Sequence, residues 1–316
     1  MITKSLIILS ILFNSVGLSG VADKFDQAVI RDQSGAKKVA EASSVYNLSL
    51  PEILPRPKIK PNAVKASANS LEYILVDSET GKVLAEKGKN EKVSIASTTK
   101  IMTAIVALEN YQLDEVVTVS ADAVNQVPSV VYLQTGEEIT VESLLNCMLI
   151  ASGNDSAYAV AEHMSGDTGG INKFVDKMNE KAAELGMKNT HYNDPAGLSA
   201  GSVSSAYDLY IATKYALKKP VFAQIIRKDS FVAKNVEGTI YHALKQSNRL
   251  VSNNYLGAIG VKTGFTPEAG HCLVGAATRD DHTLISIVLN TYSTTPDASA
   301  TESKRLLDWG FANVEW

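Results

Sequence analysis

Three short groups of residues in this chain could do chemistry on a carbonyl. The first is Ser97-Thr98-Thr99-Lys100, directly ahead of the apolar run Ile101 to Leu108. A serine hydroxyl at its free pKa is a poor nucleophile and needs a base within hydrogen-bond reach. Residues three apart share one face of a helix, so the spacing predicts the Lys100 amine beside the Ser97 hydroxyl, at the first turn of a buried helix. Amides at such a helix start also favour the negative charge of an acyl-transfer oxyanion. Read alone, the four residues are better described as a capping serine beside a solvated lysine, a common chance pattern.

The second group, Ser152-Gly153-Asn154, follows the helix-like stretch Val141 to Ala151. The third, Lys262-Thr263-Gly264, lies between Ile259-Gly260-Val261 and the strand-like run Cys272 to Ala277. Together, in this order, they resemble the motif set of the serine β-lactamases and penicillin-binding proteins. Longer segments narrow the resemblance: Ser94 to Thr103, Ile150 to Asp155, Asn193-Asp194-Pro195-Ala196-Gly197-Leu198, Gly260 to Thr266 and Ala269 to Val274. From about Ser70 to the C-terminus the chain is similar to the D-alanyl-D-alanine carboxypeptidases, the low-molecular-mass penicillin-binding proteins.

That resemblance implies a serine DD-carboxypeptidase that removes the terminal D-alanine from peptidoglycan stem peptides and is acylated by β-lactams. Ser97 would be the nucleophile, Lys100 its general base and Ser152 a proton relay. Asn154, Lys262, Thr263 and Gly264 would bind substrate, with the carboxylate held by Lys262 and Thr263. The backbone amides of Ser97 and Phe265 would form the oxyanion hole. No cofactor and no metal are implied. Burial and a second nearby cation, Lys262, would both push the Lys100 amine toward neutrality. Gly264 would let the substrate lie against a strand edge. A DD-endopeptidase cutting crosslinks with the same site remains open, as do a class A-like β-lactamase and a wall-binding protein without activity. The β-lactamase reading is disfavoured by Gly153, which replaces aspartate, and by the placement of Glu142-Ser143-Leu144-Leu145-Asn146. This segment matches the deacylating-glutamate motif but precedes Ser152 instead of following it, and reads as helix surface plus core. His271 lies near the third motif, yet Lys100 already supplies a base.

Composition excludes little and agrees with this. The 316 residues are 45% hydrophobic and 20% charged, with a net charge of −4, as in an ordinary globular protein. Both signs are interspersed, so no basic stripe supports nucleic-acid binding. Neither a zinc-spaced Cys/His cluster nor a glycine-rich phosphate loop is present. Cys147 and Cys272 both lie in apolar segments and read as two unpaired core residues.

The elements that must position the three groups follow from periodicity. Residues 1–22 read as a signal peptide or signal-anchor, with Lys4 ahead of an apolar core from Leu6 to Val16 and small residues from Gly17 to Ala22. Residues 23–69 read as a disordered Pro-rich spacer, and 70–316 as the catalytic domain. Work outside the cytoplasmic membrane, in the periplasmic or extracytoplasmic cell-wall space, is therefore expected. With the sequence ending at Trp316, neither the β-rich second domain nor the C-terminal amphipathic anchor of many relatives is expected. Membrane contact is expected only if the N-terminal signal is retained. Strand-like runs predict a hairpin at Tyr73 to Lys87. Further strands are predicted at Ser230 to Val236, Thr239 to His242, Ala258 to Lys262, Cys272 to Thr278 and Thr283 to Leu289. Helices are predicted at Thr98 to Asn110, Val141 to Ile150, Asp155 to His163, Gly170 to Leu185, Ala206 to Leu217 and Glu302 to Phe311. Strands at both ends with helices between give an α+β architecture, an antiparallel sheet built from both ends of the domain plus a helical lobe. The family fold, β-lactamase/transpeptidase-like, has this form.

Overall fold

The structure, a computed structural model, describes residues 56–165 and 169–316. Apolar runs from the two ends of this region pair into one five-stranded antiparallel sheet. Its strands are β1 (Ser70–Asp77), β2 (Val83–Lys87), β3 (Ala258–Thr266), β4 (Gly270–Arg279) and β5 (His282–Thr291). Their lateral order is β3, β4, β5, β1, β2. The two chain ends meet where β5 pairs with β1, Ile287 lying opposite Ile74 and Ser286 opposite Leu75. Strand β3 is an edge of the sheet, so its outer rim is free of strand partners.

Successive side chains on a strand point to opposite faces, and here both faces are covered. Ile74, Val76, Ile285 and Ile287 enter the larger core under the helical lobe. Leu75, Leu273, Leu284 and Val288 enter a second core on the other face. This explains why the inner strands read as nearly continuous apolar runs instead of an alternating pattern.

Among the described residues, six helices of nine or more residues accompany the sheet: α1 (Lys100–Asn110), α2 (Val141–Ile150), α3 (Asn154–Glu162), α4 (Gly169–Glu184), α5 (Ala206–Leu217) and α6 (Ala298–Asn313). Helix α1 is buried from Lys100 through Ala107, as a helix apolar on every side must be. Thr140 and Ser205 accept the amides of Ser143 and Asp208 and so start α2 and α5. Helix α6 closes the second core with Leu306 and Leu307.

The predicted bounds of α2 and α5 coincide with those observed. Strand β3 runs four residues past Lys262 because Gly264 to Thr266 pair with Cys272 to Gly270 on β4. Short helices at Ala121–Val124 and Pro220–Ile225 had no prediction; the second starts on a proline, whose missing N–H costs nothing there.

The spacer assignment needs correction over its last part. Residues 56–69 are packed against the domain. Lys58 and Ile59 pair antiparallel with Glu315 and Val314, and Lys60 Nζ donates to the Ala312 carbonyl at 2.8 Å. Trp309 Nε1 donates to the Val64 carbonyl at 2.6 Å, while Ala66 and Ala68 are buried in the second core. The partner of this strap lies at the opposite end of the chain, which local composition does not reveal. Residues 1–55, including the predicted signal and most of the spacer, lie outside the described residues. Among the described residues no helix is long and apolar enough to cross a membrane.

Leu306 has no solvent exposure, and Leu306→Ala should cost about 2–5 kcal/mol through lost burial and the cavity left behind. Urea unfolding of the two proteins measures this; a change below ~1 kcal/mol would mean that α6 is not required to close the sheet.

Candidate functional site

The first motif does not sit on the α-helix predicted for it. Ala96–Thr99 form a single 3-10 turn that precedes α1, with Ala96 at φ +46°. Residues i and i+3 eclipse one another in a 3-10 turn, more closely than in an α-helix. Lys100 Nζ accordingly lies 2.8 Å from Ser97 Oγ. Positive φ at a non-glycine residue is costly and is tolerated where surrounding packing enforces it. Here Ile95 is fully buried on one side, and its carbonyl accepts both the amide and the hydroxyl of Thr98.

The Lys100 side chain has no contact with solvent. Besides Ser97, its amine donates to Asn154 Oδ1 at 2.7 Å and to the Ala196 carbonyl at 2.9 Å. Burial is the main cause holding this amine down to about 7, against the opposing pull of Asp194 and Asp155. Lys262, on the edge strand β3, is also fully buried. Its amine donates to Ser152 Oγ at 2.9 Å and to the Thr263 carbonyl at 2.9 Å. Burial first, and the Lys100 charge second, hold it well below the ordinary lysine range. Two ammonium groups sharing one desolvated site repel, so the pair is disfavoured in its doubly charged form.

Ser152 is set by the turn between α2 and α3. It adopts φ +65°, while the Gly153 amide donates back to the Cys147 carbonyl at 3.2 Å. A Cβ on Gly153 would lie 2.8 Å from Asp155 Oδ1 and Ser156 Oγ, which explains a glycine at the middle of this motif. Gly153, not Ser152, occupies the N-cap position of α3. The Ser152 hydroxyl is therefore free of capping duty and faces Lys262.

Several groups that the motifs alone do not single out complete the arrangement. Asp194 Oδ1 accepts the amides of Ala196, Gly197 and Leu198, and Oδ2 accepts the Ser199 amide and the Ser202 hydroxyl. This wraps the loop around one carboxylate and aims the Ala196 carbonyl at Lys100. Gly197 has φ +79°, and a Cβ there would lie 1.9 Å from the Ala96 carbonyl oxygen. The loop thus packs backbone to backbone on the Ser97 turn. Asp155 similarly accepts the amides of Val131 and Leu133, tying a loop to the start of α3. Both carboxylates stand in segments that carry the sequence resemblance, which was the available signal for them.

Asn154 and Gly264 also have close neighbours within the protein. Asn154 Nδ2 donates to the Val127 carbonyl at 2.7 Å while Oδ1 accepts from Lys100. Each end of the carboxamide makes one contact inside the protein, so Asn154 holds the lysine and keeps one further N–H and one further lone pair. At Gly264 an added Cβ would lie 3.0 Å from both the Ser97 amide nitrogen and the Ile95 carbonyl oxygen. The close neighbour that demands glycine is the Ser97 turn itself. Thr263 Oγ1 donates to Ser247 Oγ at 3.1 Å, a serine with no motif to mark it. The side chain of Phe265 is 58% exposed.

The family model for D-alanyl-D-alanine carboxypeptidase matches residues 59–293. The chain belongs to this family. It is 36% identical over 249 residues to the D-alanyl-D-alanine carboxypeptidase DacF of Bacillus subtilis (strain 168), covering 77% of this chain and 62% of DacF. It is 34% identical over 240 residues to the D-alanyl-D-alanine endopeptidase of Pseudomonas aeruginosa, covering 75% of this chain and 76% of that protein. The crystal structure of the Streptomyces K15 DD-transpeptidase superposes with a TM-score of 0.74 at 35% identity, over 79% of this chain and 100% of that one. The fold of this DD-peptidase family member is thus the α+β, transpeptidase-like one, with its sheet drawn from both ends of the domain.

Other candidate residues stand apart from the paired lysines. His271 Nε2 lies 3.2 Å from the Thr294 carbonyl, and its ring stacks on Phe265 with centroids 4.4 Å apart. Glu142 is exposed at the start of α2, and Asn146 Oδ1 accepts from Lys228 at 2.8 Å. Cys147 and Cys272 are free and buried; burial pushes both thiols up, that of Cys272 to about 12. Among the described residues no group of three or more His, Cys, Asp or Glu side chains is arranged to hold a metal ion.

Because Asp194 gathers five donors, Asp194→Ala should destabilise the protein by about 3–5 kcal/mol, the scale for removing one side of a buried charged network. Asp194→Asn, which keeps an acceptor oxygen, should cost less. Equal unfolding midpoints for wild type and Asp194→Ala would refute the organising role of this carboxylate.

Proposed function

We propose that this family member is a serine DD-carboxypeptidase that removes the terminal D-alanine from peptidoglycan stem peptides through an acyl-enzyme on Ser97. The observation that carries the reading is the set of partners around Lys100. A neutral amine has two N–H groups and one lone pair. Asn154 Oδ1 and the Ala196 carbonyl can only accept, so they take both N–H groups and leave the lone pair facing Ser97 Oγ. In that state Lys100 is a base aimed at the one neighbour that has a proton to give.

The steps follow from this geometry. Ser97 Oγ attacks the carbonyl carbon of the penultimate D-alanine while its proton passes to Lys100 Nζ. The oxyanion is held by the amides of Ser97 and Phe265, donors of a kind worth about 3–4 kcal/mol each. The proton taken up by Lys100 passes through Ser152, which Lys262 orients, to the leaving amine of the terminal D-alanine, and Lys100 is neutral again. Water then hydrolyses the ester on Ser97, with Lys100 again accepting a proton. The substrate's terminal carboxylate docks beside Lys262 and Thr263, and its charge favours the protonated form of Lys262. A β-lactam presents a carboxylate and an acyl carbon in the same relation, and so acylates Ser97. The setting is the cell wall outside the cytoplasmic membrane.

A second reading keeps the same steps and changes the leaving group: a DD-endopeptidase that cuts crosslinks, as the name of the Pseudomonas aeruginosa relative has it. Purified protein should release D-alanine from a pentapeptide faster than it splits crosslinked muropeptide dimers; the reverse order would establish the endopeptidase. Fluorescent penicillin should label wild type and fail to label Ser97→Ala, and persistent label in the variant would sink the assignment of the nucleophile. The acylation rate should rise with pH to a plateau above about 7, because the lowered Lys100 pKa leaves the neutral base dominant only above it. Below that point the rate should fall about tenfold per pH unit; a flat profile down to about pH 5 would exclude Lys100 as the base.

A further inference from the structure

His242 is a buried histidine for which the catalytic steps have no use. It lies on a hairpin of two strands, Ser230–Lys234 and Tyr241–Lys245. Its exposed neighbours Tyr241 and Ala243 face outward, and the imidazole turns inward onto a different segment. Nδ1 lies 3.1 Å from the Val131 carbonyl and Nε2 lies 2.8 Å from Glu137 Oε1. A carbonyl can only accept, so Nδ1 carries the proton and donates to Val131. Glu137, also buried, accepts the Gln134 amide at 3.0 Å with its other oxygen. One imidazole thus clips both ends of the stretch from Val131 to Glu137.

That stretch belongs to residues 125–137, which form neither helix nor strand. A segment without its own regular hydrogen bonds takes its shape from the groups that satisfy its backbone. Here those groups are the first residues of α3. The Val127 carbonyl accepts from Asn154 Nδ2 at 2.7 Å, and the Ser129 carbonyl accepts the Asn154 amide at 2.7 Å. Asp155 Oδ2 accepts the amides of Val131 and Leu133 at 2.9 and 3.2 Å. These contacts fix the loop and the helix start to one another. His242 adds a tie from a third element, and it grips the carbonyl of the same residue whose amide Asp155 holds.

We infer that His242 is a positioning residue for Lys100: by holding the Val131 carbonyl it sets the loop that grips Asn154, and so fixes the acceptor that turns the lysine lone pair toward Ser97. The inference rests on the function proposed above, in which Asn154 Oδ1 takes one N–H of the neutral amine. With the loop released, that acceptor is no longer fixed, and the amine can turn its lone pair away from the hydroxyl. Reaction rates are sensitive to such errors, a misplacement of about 1 Å costing up to about a hundredfold. The carboxylate dock at Lys262 and Thr263 lies on β3, outside this chain of contacts. His242 therefore acts on the rate of acylation and not on substrate binding.

The test reads both the rate and the final extent of labelling by fluorescent penicillin, with pentapeptide turnover beside it. His242→Ala should reach the wild-type stoichiometry of label about tenfold more slowly. Its kcat for the pentapeptide should fall by a similar factor, with KM within about twofold. A merely structural role gives the opposite pattern, fewer labelled molecules at the wild-type rate, and that result refutes the inference. Two amides separate the two ring contacts. His242→Asn places its Nδ2 where Nδ1 stands and should restore the rate to within about threefold of wild type. His242→Gln reaches toward Glu137 instead and should stay slow. This pair decides the matter even where the alanine variant does not fold: His242→Asn labelling no faster than His242→Gln overturns the role of the Val131 contact. In an Asn154→Ala background, His242→Ala should slow labelling by no more than about twofold further, because both changes act on one amine contact. A full tenfold slowing there refutes the path through Asn154. Failure of the wild-type protein to take label at all would instead overturn the function on which the inference rests.

Discussion

Burial of two lysine amines within one site is the constraint on which the rest of this structure turns. Neither Lys100 nor Lys262 reaches solvent, burial lowers the readiness of both to carry charge, and the Lys100 charge lowers that of Lys262 further. The protein therefore has to provide oxygen acceptors for amines in a desolvated pocket. It does so from a helix start, a strained turn, a loop carbonyl and an edge strand. For Lys100 the depressed pKa carries a stability cost of known sign. Between about 7 and the ordinary lysine value of 10.5 the unfolded chain holds this proton more tightly than the folded one. Stability gained from this group thus rises with pH across that window and is lost as pH falls through about 7. The same desolvation that brings the Lys100 amine close to neutrality at neutral pH weakens the fold there.

Close backbone approach is how the acceptors are delivered. The Ala196 carbonyl reaches Lys100 because Asp194 ties four consecutive amides, Ala196 to Ser199, to its own carboxylate. Gly197 then lets that loop sit against the Ala96 carbonyl, and Gly264 lets β3 pass the Ser97 amide. Three stretches of main chain converge on one serine with no side chain between them. The positive φ values of Ala96 and Ser152 belong to the same economy of space: each trades local strain for the placement of a hydroxyl. A sheet whose two faces are both buried gives these strained segments a rigid floor, and the strap at residues 56–69 pairs with Val314 and Glu315.

Much of this was legible in the linear chain. Helices α2 and α5 have capping residues and uninterrupted apolar faces, so local rules place their ends. The order and spacing of Ser97, Lys100, Ser152, Asn154, Lys262 and Thr263 identified one acyl-transfer site and its family resemblance. The geometry of the turn at Ser97 was not legible, because an apolar run after Lys100 is compatible with either an α or a 3-10 start. Nor was the partner of the segment around Lys58, since a strand of two residues takes its definition from the strand it meets, here at Val314 and Glu315.

What the sequence determined by itself is therefore the chemistry: which hydroxyl, which amines and which oxygen acceptors exist, and that they occur in the order of a serine DD-peptidase. Residue type and short-range spacing suffice for that. Only the tertiary structure decided the protonation logic. Asn154 turned inward to hold Lys100, the Ala196 carbonyl became its third neighbour, and Gly264 proved to face the Ser97 turn. The physical reason is that an amine's charge state depends on desolvation and on the number of acceptors around it. Those quantities are set by groups up to 110 positions away along the chain, and no local pattern encodes them.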